Sequence, residues 1–314
     1  MSTTMATYES TLLAAAEKDP RLIVVTAENR AAIRGLPAKL GSRFLDTGIT
    51  EQTMIGMAAG LALRGRIPVV HALATFLTMR AFEFIRTDVG IPGLAVKLVG
   101  AVPGVLSEAN GPTHQALEDV ALMRGIPSMR VFCPADLEDL VTGLPVILSD
   151  PHPWYIRYCD RPAVTAHQPF EIGRAEVFQA GERDNVTLLV SGALFREVWQ
   201  AADRLRADGC TARVVNVRSA KPLDEEAVLD AARHTTLLVT VEDHFETGGL
   251  YSSVAELLVR AGVHARVLPI NCRDRWFTPA MLPDVLADTV FTPGAIAARV
   301  SSTLHRRIPV SVYA

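Results

Sequence analysis

The 314-residue sequence lacks the features that mark several protein classes. It has only four cysteines, and no two form a CxxC pair, which argues against a zinc site and against a disulfide framework. No apolar run approaches the roughly 20 residues of a membrane-spanning helix, and the N-terminal residues do not resemble a signal peptide. The net charge is −3 with scattered arginines, so neither nucleic acid nor a membrane surface is expected as a partner. These features predict a cytoplasmic protein.

Common catalytic fingerprints are missing as well. No G-x-G-x-x-G follows a strand-like run, and no G-x-x-x-x-G-K-[ST] is present. The G-x-S-x-G elbow of serine hydrolases is also absent. These absences argue against the usual dinucleotide-binding, P-loop and Ser-His-Asp classes.

The sequence does contain a regular alternation of short β-branched runs and amphipathic segments. The run at residues 22–27 is typical of a strand buried on both faces. Such alternation predicts an α/β protein with two doubly wound, mostly parallel-sheet domains, and the length agrees with two domains. A polar, proline-containing stretch separates the two sets of elements, so we predict domains at 1–162 and 186–314, joined by a linker at 163–185.

The predicted elements follow that alternation. In the first set, we predict strands at 22–27, 67–72, 95–100, 129–132 and 154–158 (the last at a sheet edge), and helices at 8–17, after Glu51, and at 76–88, 115–124 and 135–148. In the second set, we predict strands at 186–190, 212–217, 236–241 and 265–270, and helices at 193–208, 223–233 and 248–262, with two helical pieces in 280–306.

The segment 47–60 joins a turn to a helix of small and apolar residues. Thr50 is expected to cap this helix, and the charge of Glu51 suits the positive end of the helix dipole. Gly56 and Gly60 lie four residues apart, so this face can let another backbone come close. From these residues alone, Glu51 marks either the start of a buried structural helix or the wall of an active site.

A second notable segment is the glycine-rich loop 100–114, which ends at His114. Loops after parallel strands form the ligand crevice of open α/β sheets. A histidine there can shuttle protons near neutral pH, although His114 could equally serve only to start the following helix.

Several motifs together resemble one family. The first half contains GITEQTMIGMAAGLA, ATFLTMRAFE, NGPTHQALED and IPSMRVFCPAD, and the second contains RSAKPLD and TVEDHFETGGL. The first group resembles the pyrimidine-binding domain of transketolases, and the second resembles their C-terminal domain. The diphosphate-binding domain of the family, with its GDG…NN motif, has no counterpart here. The chain therefore resembles the C-terminal subunit of a split, two-chain transketolase.

The resemblance implies thiamine diphosphate as the cofactor. Glu51 matches the family's glutamate that contacts N1′ of the aminopyrimidine, where it shares a proton with the ring nitrogen. The matching positions of the cofactor pocket are Ile49, Phe76, Met79 and Phe82. The alternative for the last three is a core stripe at helical spacing. No metal ligand is expected in this chain, because Mg²⁺ or Ca²⁺ would be held by the partner subunit.

The resemblance also implies substrate-binding residues. His114 matches a histidine that faces the substrate, and Asn110 stands where many relatives have an aspartate that reads a sugar hydroxyl. Arg157 matches an arginine that binds the substrate phosphate. Val102 stands where many relatives have a histidine near that phosphate, which argues against the usual pentose phosphates as substrates.

The implied function is transfer of a two-carbon ketol unit from a ketose or ketose phosphate to an aldehyde. The expected partner is the N-terminal, diphosphate-binding subunit, in an α2β2 assembly with self-association of this chain. One alternative is a β-type subunit of a 2-oxoacid dehydrogenase-like or carrier-protein-directed enzyme. Others are a 1-deoxyxylulose-5-phosphate synthase-like enzyme and a non-catalytic scaffold.

Overall fold

A computed structural model of the chain describes residues 6–179 and 181–306. These residues form two α/β domains, each built on a mostly parallel sheet with helices on both faces. The predicted fold class is therefore confirmed. The domain ends at 1–5 and 307–314, which the predicted boundaries included, lie outside the described residues.

The first domain follows the alternating order that its sequence predicts. Its elements are α1 (Tyr8–Lys18), β1 (Leu22–Thr26), α2 (Leu36–Leu40), β2 (Phe44–Asp46), α3 (Glu51–Leu63), β3 (Ile67–Leu73), α4 (Phe82–Phe84), β4 (Lys97–Ala101), α5 (Asp119–Arg124), β5 (Arg130–Phe132), α6 (Leu137–Ser149) and β6 (Trp154–Arg157). The sequence pattern does not predict the short elements α2 and β2.

The second domain has the same kind of order. Its elements are β7 (Glu176–Phe178), β8 (Asp184–Ser191), α7 (Phe195–Ala207), β9 (Ala212–Asn216), β10 (Ser219–Lys221), α8 (Glu225–Arg233), β11 (Thr235–Glu242), α9 (Leu250–Ala261), β12 (Val267–Ile270), α10 (Leu282–Asp288) and α11 (Pro293–His305). Strand β7 lies within the predicted linker 163–185 and pairs antiparallel with β9 at the edge of the second sheet.

The first sheet has the strand order β10-β5-β6-β4-β3-β1-β2. The prediction of an edge strand at 154–158 is wrong, because β6 lies between β4 and β5 and all four of its residues are buried. The edge strand on that side of the sheet is β10, which comes from the second half of the sequence and pairs antiparallel with β5. One strand thus crosses from the second half into the first sheet.

The predicted helix at 76–88 is irregular. It consists of two π-helical segments, Phe76–Arg80 and Ile85–Gly90, with α4 between them. Such wide turns are rare and occur frequently at functional sites. The predicted helix at 115–124 begins only at Asp119, and a 3₁₀ turn at Pro112–His114 precedes it.

Apolar side chains fill both faces of each sheet. The core of the second domain also takes in three side chains of the first domain, Val105, Leu117 and Ala135. The two domains therefore share a hydrophobic core, which fixes the loops at the carboxyl ends of the first sheet against the second domain.

Candidate active site

Helix α3 begins at Glu51, after a turn at the carboxyl end of β2. Gly48 has a φ of 68°, a conformation that glycine adopts at low cost. The predicted side-chain cap by Thr50 is wrong, because its hydroxyl donates to the Thr47 carbonyl at 3.0 Å and caps no helix N–H. The acidic residue in the first turn is Glu51, as predicted.

The carboxylate of Glu51 is buried but is reached by a cation from the solvent side. The residue is only 3% exposed, on a helix whose inner face includes Met54, Ile55 and Ala58. Nη1 of Arg80 donates to Oε2 of Glu51 at 3.1 Å. The Arg80 side chain is 46% exposed, so the charge of a buried acid is balanced by a partly solvated partner.

Arg80 also connects Glu51 to two further predicted site residues. Its guanidinium carbon lies 4.3 Å from the centroid of the Phe76 ring, a cation–π contact. The His114 ring meets Phe76 edge-on, with centroids 5.0 Å apart and an interplanar angle of 69°. We refer to Glu51, Arg80, Phe76 and His114 as the Glu51 cluster. The structure thus brings together three predicted residues that lie on separate segments of the chain.

His114 ends the 3₁₀ turn that follows Gly111, whose φ is 84°. Its Nδ1 lies 2.9 Å from the hydroxyl of Thr113. Within the described part of the chain no hydrogen bond engages Nε2. This nitrogen is therefore the one that His114 can offer to a bound molecule.

The other predicted cofactor and substrate residues lie outside these contacts. Ile49 is 66% exposed on the loop before α3, and Met79 is half-buried at the end of the first π-helical segment. Phe82 packs against the core of the first domain, where the core-stripe alternative placed it. Asn110 is exposed and donates from Nδ2 to the Ser107 carbonyl at 2.8 Å.

Arg157 is engaged by protein carboxylates. It is 4% exposed, and it donates from Nε to Asp119 at 2.9 Å and from Nη1 to Asp243 at 2.6 Å. Burial alone would lower the pKa of Arg157, but the two aspartates raise it well above its usual value. The guanidinium thus joins the first domain to the second, and its two strongest bonds are not available to a substrate phosphate.

Comparisons with known proteins agree with this architecture. The family model of the transketolase pyrimidine-binding domain matches residues 1–162, and that of the transketolase C-terminal domain matches residues 173–296. The chain belongs to the transketolase family. The family predicted from the sequence motifs is confirmed.

Individual relatives sharpen this assignment. The chain is 40% identical to the 6-deoxy-6-sulfo-D-fructose transketolase subunit SqwH of Clostridium sp. (strain MSTE9), over 80% of this chain and 79% of that protein. A solved structure described as a split gene transketolase, inactive beta4 tetramer, superposes with a TM-score of 0.83 at 33% identity, covering 95% of this chain and 97% of the other. The predicted resemblance to a split-transketolase subunit is thereby confirmed.

Other relatives are longer. The chain is 36% identical to a 1-deoxy-D-xylulose-5-phosphate synthase of Synechococcus sp. (strain JA-2-3B'a(2-13)), over 93% of this chain but only 46% of that protein. It therefore spans about half the length of such relatives.

The transketolase family depends on thiamine diphosphate, a cofactor with an aminopyrimidine ring at one end and a diphosphate at the other. A buried carboxylate beside an aromatic ring suits the aminopyrimidine. The described residues contain no group of three His, Cys, Asp or Glu side chains that could hold a metal ion for the diphosphate.

In the same part of the chain, no helix is long and apolar enough to cross a membrane.

The transketolase-like motif of the second domain has a structural role. Glu242 accepts hydrogen bonds from the backbone N–H groups of Leu250 at 2.5 Å and Tyr251 at 2.8 Å, which caps the start of α9. A Cβ on Gly249 would lie 2.0 Å from the Glu242 carboxylate, so a larger residue there would displace this capping group. Asp243, the next residue, binds Arg157 and the backbone N–H of Val105.

A cavity of about 300 Å³ lies at the carboxyl ends of β1, β3, β4 and β6. Its polar lining includes Asn29, Glu108 and Asp160, and Val102 forms part of its wall. Val102 has a φ of 48°, a strained conformation for a β-branched residue. Such strain is found at functional sites more often than elsewhere, so this cavity is a candidate for the substrate end of the site.

Two features of the site were missed in the sequence. Arg80 follows Phe76 by four residues, and this spacing alone indicates a shared helix face. The partnership of Arg157 with Asp243 had no such signal, because 86 residues separate them.

Proposed function

We propose that this chain supplies the aminopyrimidine half of a thiamine diphosphate-dependent transketolase site. The observation that carries this proposal is that Arg80 contacts both Phe76 and Glu51, the latter at the start of α3, and that the His114 ring meets Phe76. The exposure of Ile49 and Arg80 places the cluster at the surface, as suits a site that a second chain completes.

When bound, thiamine diphosphate supplies a nucleophilic thiazolium carbon for two-carbon transfer. In this chain, the Glu51 carboxylate shares a proton with the ring nitrogen N1′, and Phe76 positions the ring. Arg80 lies over one face of the Phe76 ring and donates to Glu51. Its partly exposed side chain must therefore move aside if the aminopyrimidine ring stacks on that face of Phe76. Nε2 of His114 exchanges a proton with a substrate hydroxyl.

The partner is proposed to be a diphosphate-binding subunit that also holds Mg²⁺ or Ca²⁺. Two relatives support this division: one is named a transketolase subunit, and the other is a β4 tetramer described as inactive. Helix α3 is the proposed surface for self-association within an α2β2 assembly. Gly60 is exposed with no atom near the place of a Cβ, and Leu63 is 71% exposed. Four free cysteines suit a reducing cytoplasm.

The proposed reaction moves a two-carbon ketol unit from a ketose to an aldehyde. The lining of the cavity beside Val102 contains Glu108 and Asp160 but no Lys or Arg. Carboxylates repel a phosphate, so this chain favours an unphosphorylated sugar end at that position. Arg157 is not included among the proposed phosphate ligands, because Asp119 and Asp243 bind it. Asn110 stays a proposed contact for a sugar hydroxyl.

A second candidate is 1-deoxy-D-xylulose-5-phosphate synthase-like chemistry, which the 36% identity to such a synthase supports. The two reactions differ in their donors. A ketose donor releases no carbon dioxide, whereas a pyruvate donor releases one molecule per turnover. Coupled assays of carbon dioxide with each donor distinguish them.

The proposal is tested by titrating thiamine diphosphate and Mg²⁺ into the chain with and without its partner, a protein that carries GDG…NN. We expect tight binding only for the complex, and weaker binding when Glu51→Gln replaces the wild type. Glu83→Gln is the matched control, because Glu83 is an exposed glutamate next to Phe82. Tight binding by the isolated chain would contradict the split site.

A further inference from the structure

The second domain contains a small cleft that the Glu51 cluster does not use. It lies between the segment after β12 and the helices α10 and α11, with a volume of about 140 Å³. Buried Cys272 and Phe277 form part of its lining. The other notable members of the lining are three arginines, Arg273, Arg275 and Arg299.

The cleft is strongly positive. Its lining has three guanidinium groups and no carboxylate. Arg275 donates to the Asp288 carbonyl at 3.0 Å, whereas the side chains of Arg273 and Arg299 find no hydrogen-bond acceptor among residues 6–179 and 181–306. Burial lowers the pKa of Arg299, the charge of Arg273 lowers it further, and Glu246 offsets this only in part.

The cleft also has an unsatisfied buried donor. Asn271 lines it and is 6% exposed. Its Oδ1 accepts from the backbone N–H of Arg273 at 2.9 Å, which fixes the amide so that Nδ2 is the remaining donor. Nδ2 has no partner in the described structure. Buried donors are nearly always paired in native proteins, so this one indicates a missing acceptor.

The backbone is strained on two sides of the cleft. Arg273 has a φ of 55° and Val290 a φ of 65°, both in the region that favours glycine. Val290 is 41% exposed, so core packing does not require an apolar side chain at this strained position. Strain of this kind is found where a ligand site is built.

From these observations we propose that the cleft binds a small oxyanion, either free phosphate or the phosphate group of a small ester. Guanidinium groups match the tetrahedral oxygens of phosphate through paired hydrogen bonds, and Nδ2 of Asn271 supplies a neutral donor. The volume suits a few heavy atoms, since clefts for larger ligands run to about 300 Å³ or more.

The cleft is connected to the loop that carries His114. The carbonyl of Phe277, whose side chain lines the cleft, accepts from Nε2 of Gln115 at 2.9 Å. Gln115 directly follows His114. An oxyanion in the cleft therefore contacts the same segment that accepts this hydrogen bond from the loop of His114.

The sharpest test compares Val290→Asp with Val290→Asn in the full chain. The two variants have nearly the same shape, and both tolerate a positive φ better than valine, but only the aspartate adds a negative charge to the cleft. Sodium phosphate is titrated by calorimetry at constant ionic strength. We expect Val290→Asn to bind like the wild type and Val290→Asp to bind at least about tenfold more weakly.

A parallel titration with glycerol 3-phosphate shows whether the cleft prefers an ester or free phosphate, because the dissociation constants of the two ligands are compared directly. A second variant, Arg299→Gln, should also weaken binding, whereas Arg260→Gln should not, since Arg260 is 63% exposed and pairs with Glu225. The absence of phosphate and ester binding by the wild type would overturn the proposal. Equal binding by the two Val290 variants, with folding verified by circular dichroism, would overturn it as well.

Discussion

Two of the protein's arginine–carboxylate groups have similar bond lengths but different surroundings. Arg80 donates to Glu51 at 3.1 Å, and Arg157 donates to Asp119 at 2.9 Å and to Asp243 at 2.6 Å. The Arg80 side chain is 46% exposed, whereas that of Arg157 is 5% exposed and both of its aspartates are at 0%.

This difference in exposure distinguishes a candidate active site from a contact that holds the two domains together. A half-exposed arginine can exchange its carboxylate for water at small cost, so Glu51 can be released to another partner. A fully buried arginine between two aspartates cannot do so, because each ion would be left without compensation in an apolar interior. Arg157 therefore fixes the two domains, while Arg80 leaves Glu51 available for chemistry.

The largest expected effect is that of Glu51→Gln on turnover. The amide keeps the shape of the side chain but cannot carry the proton, so we expect activity of the assembled enzyme to fall by roughly 10²–10⁴-fold. The thermal midpoint of the variant should stay close to that of the wild type. Steady-state rates and a thermal melt measure the two quantities. A variant that turns over at the wild-type rate would end the assignment of Glu51.

The next largest effect is that of Arg157→Leu on stability. Removing one partner of a buried ion group costs roughly 3–5 kcal/mol, because Asp119 and Asp243 are left uncompensated. Urea denaturation of the full chain measures this cost. Arg260→Gln is the exposed control, since it breaks only a surface pair with Glu225. A loss below about 1 kcal/mol would show that Arg157 does not hold the domains together.

Local motifs were sufficient to single out three residues that the structure brings together. Glu51 and Phe76 follow the ends of β2 and β3 by a few residues, and His114 lies in the longer loop that follows β4. The carboxyl ends of parallel strands meet at one edge of a sheet. The motifs around these residues therefore predicted both the family and a shared location, and the structure brings the three side chains into one cluster.

Pairings across the chain could not be predicted in this way. A buried strand such as β6 has the same apolar pattern wherever it stands in a sheet, so its neighbours β4 and β5 could not be read from it. The three-residue strand β10 carries no periodicity at all. The ion pair of Arg157 with Asp243 depends on how the two domains dock, and no local sequence pattern predicts that contact.

A third prediction concerns buried cations whose charge depends on pH. His167, in the connection between the domains, lies 2.9 Å from Asp136 and 2.8 Å from Glu176. Burial alone would lower the pKa of His167, but hydrogen bonds to these two carboxylates raise it to about 10. Lys97 shows the opposite shift, because burial lowers its pKa to about 7 and Asp150 offsets this only in part.

The two shifts have opposite consequences for stability. His167 stabilises the folded state fully below its unfolded pKa of about 6.5, and this contribution is lost as the pH rises to 10. For Lys97 the unfolded state binds more protons between pH 7 and 10.5, so stability increases with pH there. Relative to the wild type, we expect the slope of the unfolding free energy against pH to be more positive in His167→Gln and less positive in Lys97→Met. Parallel shifts without a change of slope would contradict both assignments.

The smallest expected effect is that of Arg80→Gln on stability, and it tests the opening comparison directly. Arg80 is half exposed, the Gln amide can still donate, and Glu51 keeps the favourable field of the α3 N-terminus. We therefore expect a loss of no more than about 1 kcal/mol in urea denaturation, several-fold less than for Arg157→Leu. A loss near 3 kcal/mol would mean that Glu51 depends on Arg80 as Asp243 depends on Arg157. Glu51 would then be a buried ion with a fixed partner, and its release to a cofactor would be too costly for the proposed role.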